Sequence, residues 1–393
     1  MTRQVPFTHL LTTIVDNRGR TCPTAKTGIP LIATNCVKNE SLYPTYEKVR
    51  FVDAETFETW FRGHPEPGDI LFVCKGSPGS VAMVPAPVDF CIAQDMVAVR
   101  ADPERAYPRF LFAALRSPQV QDQIAAMHVG TLIPHFKKGD FGQLQVPLPD
   151  REAQVLIGDT YFELSEKIES NRRLVETTWD LVGWDWRRLA SDAEQSSSLG
   201  DIVDVNPEKA KPGRSDELLE YIDIASVSPR KAVSTTITWA DAPSRARRRV
   251  RDGDLIFSTV RPNRRSFALL LDPPENCVVS TGFAVLRNAG VLGPSALAAV
   301  TDDPAFAEYL ISVAEGSTYP AVSPQALSAY ALFVPPKDAV AAFEERTMPL
   351  RRRAAKAETE SRILAELRDA LLPAMLSGRL SLPAAAEATE DFA

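Results

Sequence analysis

Between positions 245 and 265 the chain places eight arginines, Arg245, Arg247, Arg248, Arg249, Arg251, Arg261, Arg264 and Arg265, against only Asp252 and Asp254. A guanidinium can donate two parallel hydrogen bonds to a guanine edge or clamp a phosphate, so such a run is the footprint of a polyanion site. Asn263 sits inside the second group, in a Pro-Asn turn. The whole chain carries a net charge of −7, yet a concentrated patch matters more to a polyanion than the total does. Charge therefore does not exclude nucleic acid.

Other chemistries lack their parts. Asp272-Pro273-Pro274-Glu275 is like the Asp-Pro-Pro-aromatic motif of adenine methyltransferases, but a flipped base needs an aromatic to stack on and Glu275 cannot serve. No Gly-rich cofactor loop accompanies it, and the stretch reads as a turn. Asp69, Asp89 and Asp95 have no spacing that fixes a Mg²⁺ site for a nuclease. Asp140-Phe141-Gly142 matches a kinase tripeptide without the loops a kinase needs. The histidines His9, His64, His128 and His135 form no metal-ligand motif, and Cys22, Cys36, Cys74, Cys91 and Cys277 form no CxxC pair. An odd, scattered cysteine set is expected of reduced thiols in a cytoplasmic protein. No run of about 18 apolar residues appears, so no membrane partner is expected, and the N-terminal segment lacks the basic start and apolar core of a secretion signal. No catalytic centre, metal or cofactor is expected in this chain.

The candidate residues stand on a framework that the chain states twice. Residues 68–76 read GDILFVCKG and residues 253–261 read GDLIFSTVR. Gly supplies turn dihedrals and the apolar run a buried strand, with Asp as a turn residue. IVD at 14–16 answers IVD at 202–204, and IPLIATNCVKN at 29–39 answers EYIDIASVSPR at 220–230. CIAQDMVAVR at 91–100 answers CVVSTGFAVLR at 277–287. VGTLIP at 129–134 answers EGSTYP at 315–320, and VPLPD at 146–150 answers VPPKD at 334–338. Six landmarks in constant order, displaced by 185 to 191 positions, establish a tandem duplication.

Each half closes in a helical stretch. From Arg151 to about Arg188, Ile157, Tyr161, Leu164, Ile168, Asn171, Val175, Thr178 and Val182 step by four and three, a heptad-like seam. From Asp338 to Ser377, Leu350, Ala354, Ala357, Ser361, Leu364, Arg368, Leu371 and Met375 repeat the stepping, and Pro349 is expected to kink or divide that helix. A helix with one apolar stripe must bury it, and the other helix, packed antiparallel, is the expected partner. At 1.5 Å per residue, a helix of ~35 residues spans roughly 50 Å. LASDAEQSSS at 189–198 is expected to be a flexible linker. The expected fold is α+β: two tandem mixed α/β domains at 1–150 and 191–337, each followed by a long helix, at 151–190 and 338–380. The helices form an antiparallel coiled coil, and residues 381–393 are expected to be a disordered tail. Two similar globules on helical spacers read two things at once, or one thing at two places.

The Gly-Asp strands, the element Gly316-Ser317-Thr318-Tyr319-Pro320, its weaker copy Gly130-Thr131-Leu132-Ile133-Pro134, the proline exits and the ending LAELRDALLPAMLSGRL at 364–380 are carried together. In that combination the chain resembles the specificity (S) subunit of type I restriction–modification enzymes, over nearly its whole length. The resemblance implies two target recognition domains, each reading one half of a split, asymmetric double-stranded DNA target, with the helices holding a fixed gap. It implies two methyltransferase subunits as partners, with restriction (nuclease–translocase) subunits in the full complex. S-adenosylmethionine would then be the methyltransferase's cofactor, and this chain a non-catalytic part of a cytoplasmic phage-defence system.

On that reading the DNA-facing candidates of the second half are the eight arginines, Asn263, and Ser317 and Thr318, whose amides and hydroxyls suit phosphate. In the first half they are Arg18, Arg20, Lys26, Lys38, Lys75, Ser77, Ser80, Lys137 and Lys138. Asn35 is expected at a turn or strand end, although asparagine can read adenine. The arginines can instead be surface charges paired with Asp241, Asp252 or Asp254. A non-enzymatic protein-binding scaffold is the other reading, and salt separates the two, because phosphate binding weakens steeply with salt. Exchanging residues 195–337 for the equivalent stretch of another family member should change one half of the target and spare the other. Sequencing methylated sites in the hybrid strain checks this; an unchanged motif would refute the modular organisation.

Overall fold

The computed structural model describes residues 3–17, 19, 21–92, 94–127, 134–316 and 320–380. The chain divides into two compact units, Met1–Arg172 with Glu360–Ala393, and Arg173–Thr359. In the first unit an antiparallel sheet runs in the order Leu11–Val15, Met96–Ala101, Ile70–Val73, Val81–Met83. In the second unit Val203–Val205, Phe283–Asn288, Leu255–Ser258 and Phe267–Leu269 take the same order. The duplication read from the landmarks is thus a duplication of strand topology.

Both Gly-Asp strands are buried along their whole length because both faces are covered. Ile70 and Phe72 enter one core, with Phe7, Phe110 and Phe141, while Leu71 and Val73 enter another, with Ile32 and Phe90. Leu255 and Phe257 part from Ile256 in the same way. A continuous apolar run, rather than an alternating one, follows from such two-faced burial. Each fully buried Phe, such as Phe72 or Phe257, contributes roughly 1.5–3 kcal/mol relative to exposure.

A second sheet in each unit shows where the halves diverge. In the first unit Arg50–Val52 and Cys91–Ile92 flank Ile29–Ile32, the latter pair parallel. In the second, Thr235–Thr238 and Cys277–Ser280 flank Leu218–Ile222 in the same senses, and a fourth strand, Ala246–Arg249, is added at the edge. The added strand carries the arginine run.

The aspartate of each Gly-Asp corner does more than turn the chain. Gly68 and Gly253 take φ of 85° and 82°, a region open to glycine. The next carboxylates, Asp69 and Asp254, are each 1% exposed. Asp69 accepts the amide of Glu66 and is paired with Arg100 (2.8 Å); Asp254 accepts the amide of Arg251 and is paired with Arg287 (2.7 Å). The arginines that end the VAVR and AVLR landmarks are therefore the partners of the Gly-Asp aspartates. In both units this pair staples the Gly-Asp strand to the neighbouring strand.

The long helices run Arg151–Ser191 and Lys337–Leu376. Within the first unit Asn171 donates to Glu360 and Arg368 to Ser165, and within the second Arg346 donates to Asp185 while Arg351 lies over Trp179. In each case one residue number rises as the other falls, so the packing is antiparallel, as the seam predicts. Three expectations need correction. Pro349 does not divide the second helix, which is one element from Lys337 to Leu376. Phe343, Thr347 and Arg351, buried on either side of the proline, hold both turns in place. Leu350 is not a seam residue: it is 38% exposed, and Arg351 occupies the seam instead, at 3.8 Å from the Trp179 ring centroid. The 189–198 linker is not flexible throughout, because Ser196–Ser198 pair with Ala331–Phe333, as Arg3–Pro6 pair with Gln145–Leu148 in the first unit. The 381–393 tail lies outside the described residues.

Removing either aspartate deletes a charged hydrogen-bonded contact and a turn acceptor, while Arg100 keeps Glu66 and Arg287 keeps Glu208, at a cost of about 2 kcal/mol. Trp179, Trp184, Trp186 and Trp239 lie in the second unit and Trp60 alone in the first, so tryptophan fluorescence reports mainly on the second. Asp254→Ala should lower the fluorescence-detected unfolding midpoint, whereas Asp69→Ala should act chiefly on first-unit probes such as hydrogen exchange.

Candidate nucleic-acid interface

The strand Leu255–Ser258 leads into a tight turn whose backbone is left-handed at Arg261 (φ 53°) and Arg265 (φ 50°), with Pro262–Arg264 between them in one 3-10 turn. The amide of Arg261 donates to the carbonyl of Pro320 (2.7 Å), and the amide of Val322 to that of Thr259 (2.8 Å). The proline that ends the Gly-Ser-Thr-x-Pro element is thereby fastened to the turn. The first unit repeats the arrangement: the amide of Gly76 donates to Pro134 (3.0 Å) and that of Phe136 to Cys74 (2.8 Å). There the left-handed positions are glycines, Gly76 (φ 90°) and Gly79 (φ 87°). Two motifs more than fifty residues apart in sequence form one corner in each unit.

At the second corner Asn263 and Arg264 are exposed, while Arg261 and Arg265 are half-buried. Arg265 turns inward, its Nη2 donating to the backbone carbonyl of Asp302 and lying 3.4 Å from that residue's Oδ1. At the first corner Lys75, Ser77 and Lys137 are exposed and Ser80 is half-buried. Lys26 is exposed in a bend, whereas Lys38 pairs with Glu47 at 2.6 Å. Asn35 donates its amide to the carbonyl of Glu47 from a short 3-10 turn. Arg18, Arg20, Ser317 and Thr318 lie outside the described residues, as does the side chain of Lys138.

The arginine run splits. Ala246–Arg249 pairs with Cys277–Ser280 on one side. On the other it meets residues 208–210: Lys209 bridges Arg248, and the amides of Ala210 and Arg249 donate to Arg247 and Glu208. Glu208 gathers three guanidiniums, Arg251 at 2.8 Å, Arg287 at 3.5 Å and Arg249 at 3.7 Å. Arg248 is half-buried and burial lowers its pKa, while Arg247 donates to the carbonyl of Ala246. Arg245 is exposed. Its carbonyl accepts the amide of Thr281, next to Gly282, whose own carbonyl accepts the amide of Thr259. The edge strand and the turn thus meet at the Thr281–Gly282 corner. The partners expected from sequence, Asp252 and Asp254, are engaged by Arg352 and Arg287 instead. Sequence reasoning missed Glu208, Lys209 and Asp302, because each meets the arginines from a distant segment and no local motif marks it.

No group of three or more metal-ligating side chains occurs among the described residues. Asp272–Glu275 runs through a bend into a turn over Pro274–Cys277, closed by the amide of Cys277 donating to the carbonyl of Pro274, and all five cysteines are buried and unbridged. No described helix is long and apolar enough to cross a membrane. The interface has donors for a polyanion.

The family model of the type I restriction modification DNA specificity domain matches residues 20–177. Over that stretch the chain is similar to a type I DNA specificity domain. Over 101 residues the chain is 29% identical to the type I restriction enzyme HindI specificity subunit of Haemophilus influenzae; that match spans 25% of this chain and 22% of the relative's length. The crystal structure of the type I restriction-modification system S subunit from M. genitalium superposes with a TM-score of 0.60 at 15% identity, covering 95% of this chain and 96% of that one. At that identity the likeness speaks for the fold, which is shared almost end to end. The first corner, from Gly76 to Lys137, falls inside the matched residues, and the second is its internal counterpart.

Arg264 and Arg265 should separate binding from folding. Arg264→Ala should weaken DNA binding, reduce the slope of log affinity against log salt by about one if the contact is to phosphate, and leave thermal unfolding unmoved. Arg265→Ala should lower both affinity and the unfolding temperature, since it removes the donor to the Asp302 carbonyl and leaves Arg230 as the remaining partner of the carboxylate. Filter binding across a salt series with calorimetry in parallel checks both.

Proposed function

We propose that this chain is the DNA-reading subunit of a type I restriction–modification enzyme, binding a two-part, asymmetric double-stranded target with one part to each unit. The observation that carries the reading is the duplicated corner, in which the turn after the Gly-Asp strand is fastened to the proline of the second motif. The corners hold different side chains: Lys75 and Ser77 in one, Asn263 and Arg264 in the other. Two different base sequences follow. Asn263 suits the edge of an adenine and Arg264 that of a guanine or a phosphate. Phosphate contacts set register without reading sequence, and Arg245, Arg247, Arg248, Arg249, Arg251, Lys209 and Lys26 are assigned to that task. Lys38, Ser80, Lys137, Lys138, Arg18, Arg20, Arg261, Ser317 and Thr318 complete the proposed surface, and Arg265, turned inward, supports it from behind.

The chain's own work is recognition. Adenine methylation belongs to two methyltransferase subunits that bring S-adenosylmethionine and dock on the long helices, and cleavage to restriction subunits of the full complex. The system acts in the cytoplasm, where its DNA is.

Genome-wide base-modification sequencing of the native host, with and without the gene, tests the reading. Adenine methylation at a two-part motif should disappear on deletion. If no site changes, the DNA-reading role falls. If methylation persists and purified protein binds DNA without a steep salt dependence, the scaffold reading takes its place.

A further inference from the structure

Three arginines of the second unit hold left-handed backbone: Arg230 (φ 69°), Arg261 (φ 53°) and Arg265 (φ 50°). Such backbone persists only where the surroundings over-determine it, and it gathers at functional sites. Two of the three converge on one carboxylate. Arg230 donates from Nε to both oxygens of Asp302 at 3.1 Å and from Nη2 to Oδ2 at 2.7 Å. Arg265 donates to the carbonyl of the same residue and faces its Oδ1. The Asp302 side chain is only 10% exposed.

Asp302 is also the last residue of the helix Pro294–Asp302. A helix C-terminus favours cations and disfavours a carboxylate, so the helix gives no reason for an aspartate there. Its two arginines do. Arg230 reaches on to Asp180 of the first long helix at 3.0 Å and lies over the ring of Trp179. The recognition turn is thus anchored, through Asp302 and Arg230, to that helix within the second unit.

We infer that Asp302 is a positioning residue for DNA recognition by the second unit: it draws Arg265 inward so that Asn263 and Arg264, at the tip of the same turn, face outward. The inference rests on the DNA-reading role proposed above. Asp302 acts from behind, by fixing the Arg265 end of the strained turn and the hairpin corner at Arg230. With its charge removed, two guanidiniums lose their shared counterion and repel each other.

The test uses the full chain with Asp302→Asn, and Arg265→Gln as the milder variant should the first not fold. Methylation motifs are sequenced in hosts carrying each variant, and amide hydrogen exchange is measured on the purified proteins. One half of the motif should become degenerate, with discrimination there falling about tenfold or more, while the other half stays intact. Exchange should rise in segments 226–232 and 261–266 and nowhere in the first unit. The double variant should be no worse than the poorer single one, because both act through one contact. An unchanged motif with unchanged exchange overturns the inference, and so does equal degradation of both halves. If the wild type itself supports no methylation, the DNA-reading role has failed, and the exchange pattern alone then decides whether Asp302 holds the turn.

Discussion

The Gly-Asp corner carries a buried carboxylate that must find a cation, and the architecture of each unit follows from how it does so. Asp69 meets Arg100, and Asp254 meets Arg287. Each arginine is the penultimate residue of the strand beside the Gly-Asp strand, so the pair fixes the register of these two strands. A buried ion pair is not automatically stabilising, because desolvation can cancel attraction, and its best-attested use is to enforce one register over its alternatives. A one-residue slip would exchange the two faces of Ile70–Val73, sending Phe72 to the smaller core. Four residues beyond the aspartate the same strand delivers the chain to the turn of the corner. The ion pair at one end therefore aims the corner at the other.

On this repeated frame the halves carry different chemistry, down to inverted charge. The helices Pro108–Arg116 and Pro294–Asp302 are counterparts and end on opposite charges. Arg116, buried over the Phe112 ring, donates to the carbonyls of Lys38, Ser41 and Val81. Asp302 instead accepts from Arg230 and Arg265. An aspartate in place of Arg116 would face three carbonyls, and an arginine in place of Asp302 would face two guanidiniums. The glycines of the first turn and the left-handed arginines of the second tell the same story: the backbone path is kept and the side chains presented along it are replaced.

Much of this was legible in the sequence because it depends on local pattern and repetition. The apolar runs, the seam of Ile157, Tyr161 and Val182, and the constant displacement of the landmarks are visible without a fold. What was not legible depends on partners far away in the chain. Nothing near Arg351 says that a guanidinium will take a seam position; the flat face of Trp179 decides it. Nothing in Ser196–Ser198 says strand; the open edge of Ala331–Phe333 does. The arginine run was conspicuous, yet its division between Glu208, Asp302 and solvent comes from segments that sequence proximity does not join to it.

The first unit is assembled from both ends of the chain. Leu371, Leu372, Met375 and Leu376, from the end of the second long helix, pack in the same core as Phe7, Phe110 and Phe162. During synthesis that core cannot be completed when the first half leaves the ribosome, since the leucines that close it are among the last described residues to be made. The second unit, drawn from the unbroken stretch Arg173–Thr359, has all its parts earlier. The order of completion is therefore the reverse of the order of translation, and a chain that stops short of its final helix turns lacks part of the core of the domain it began with.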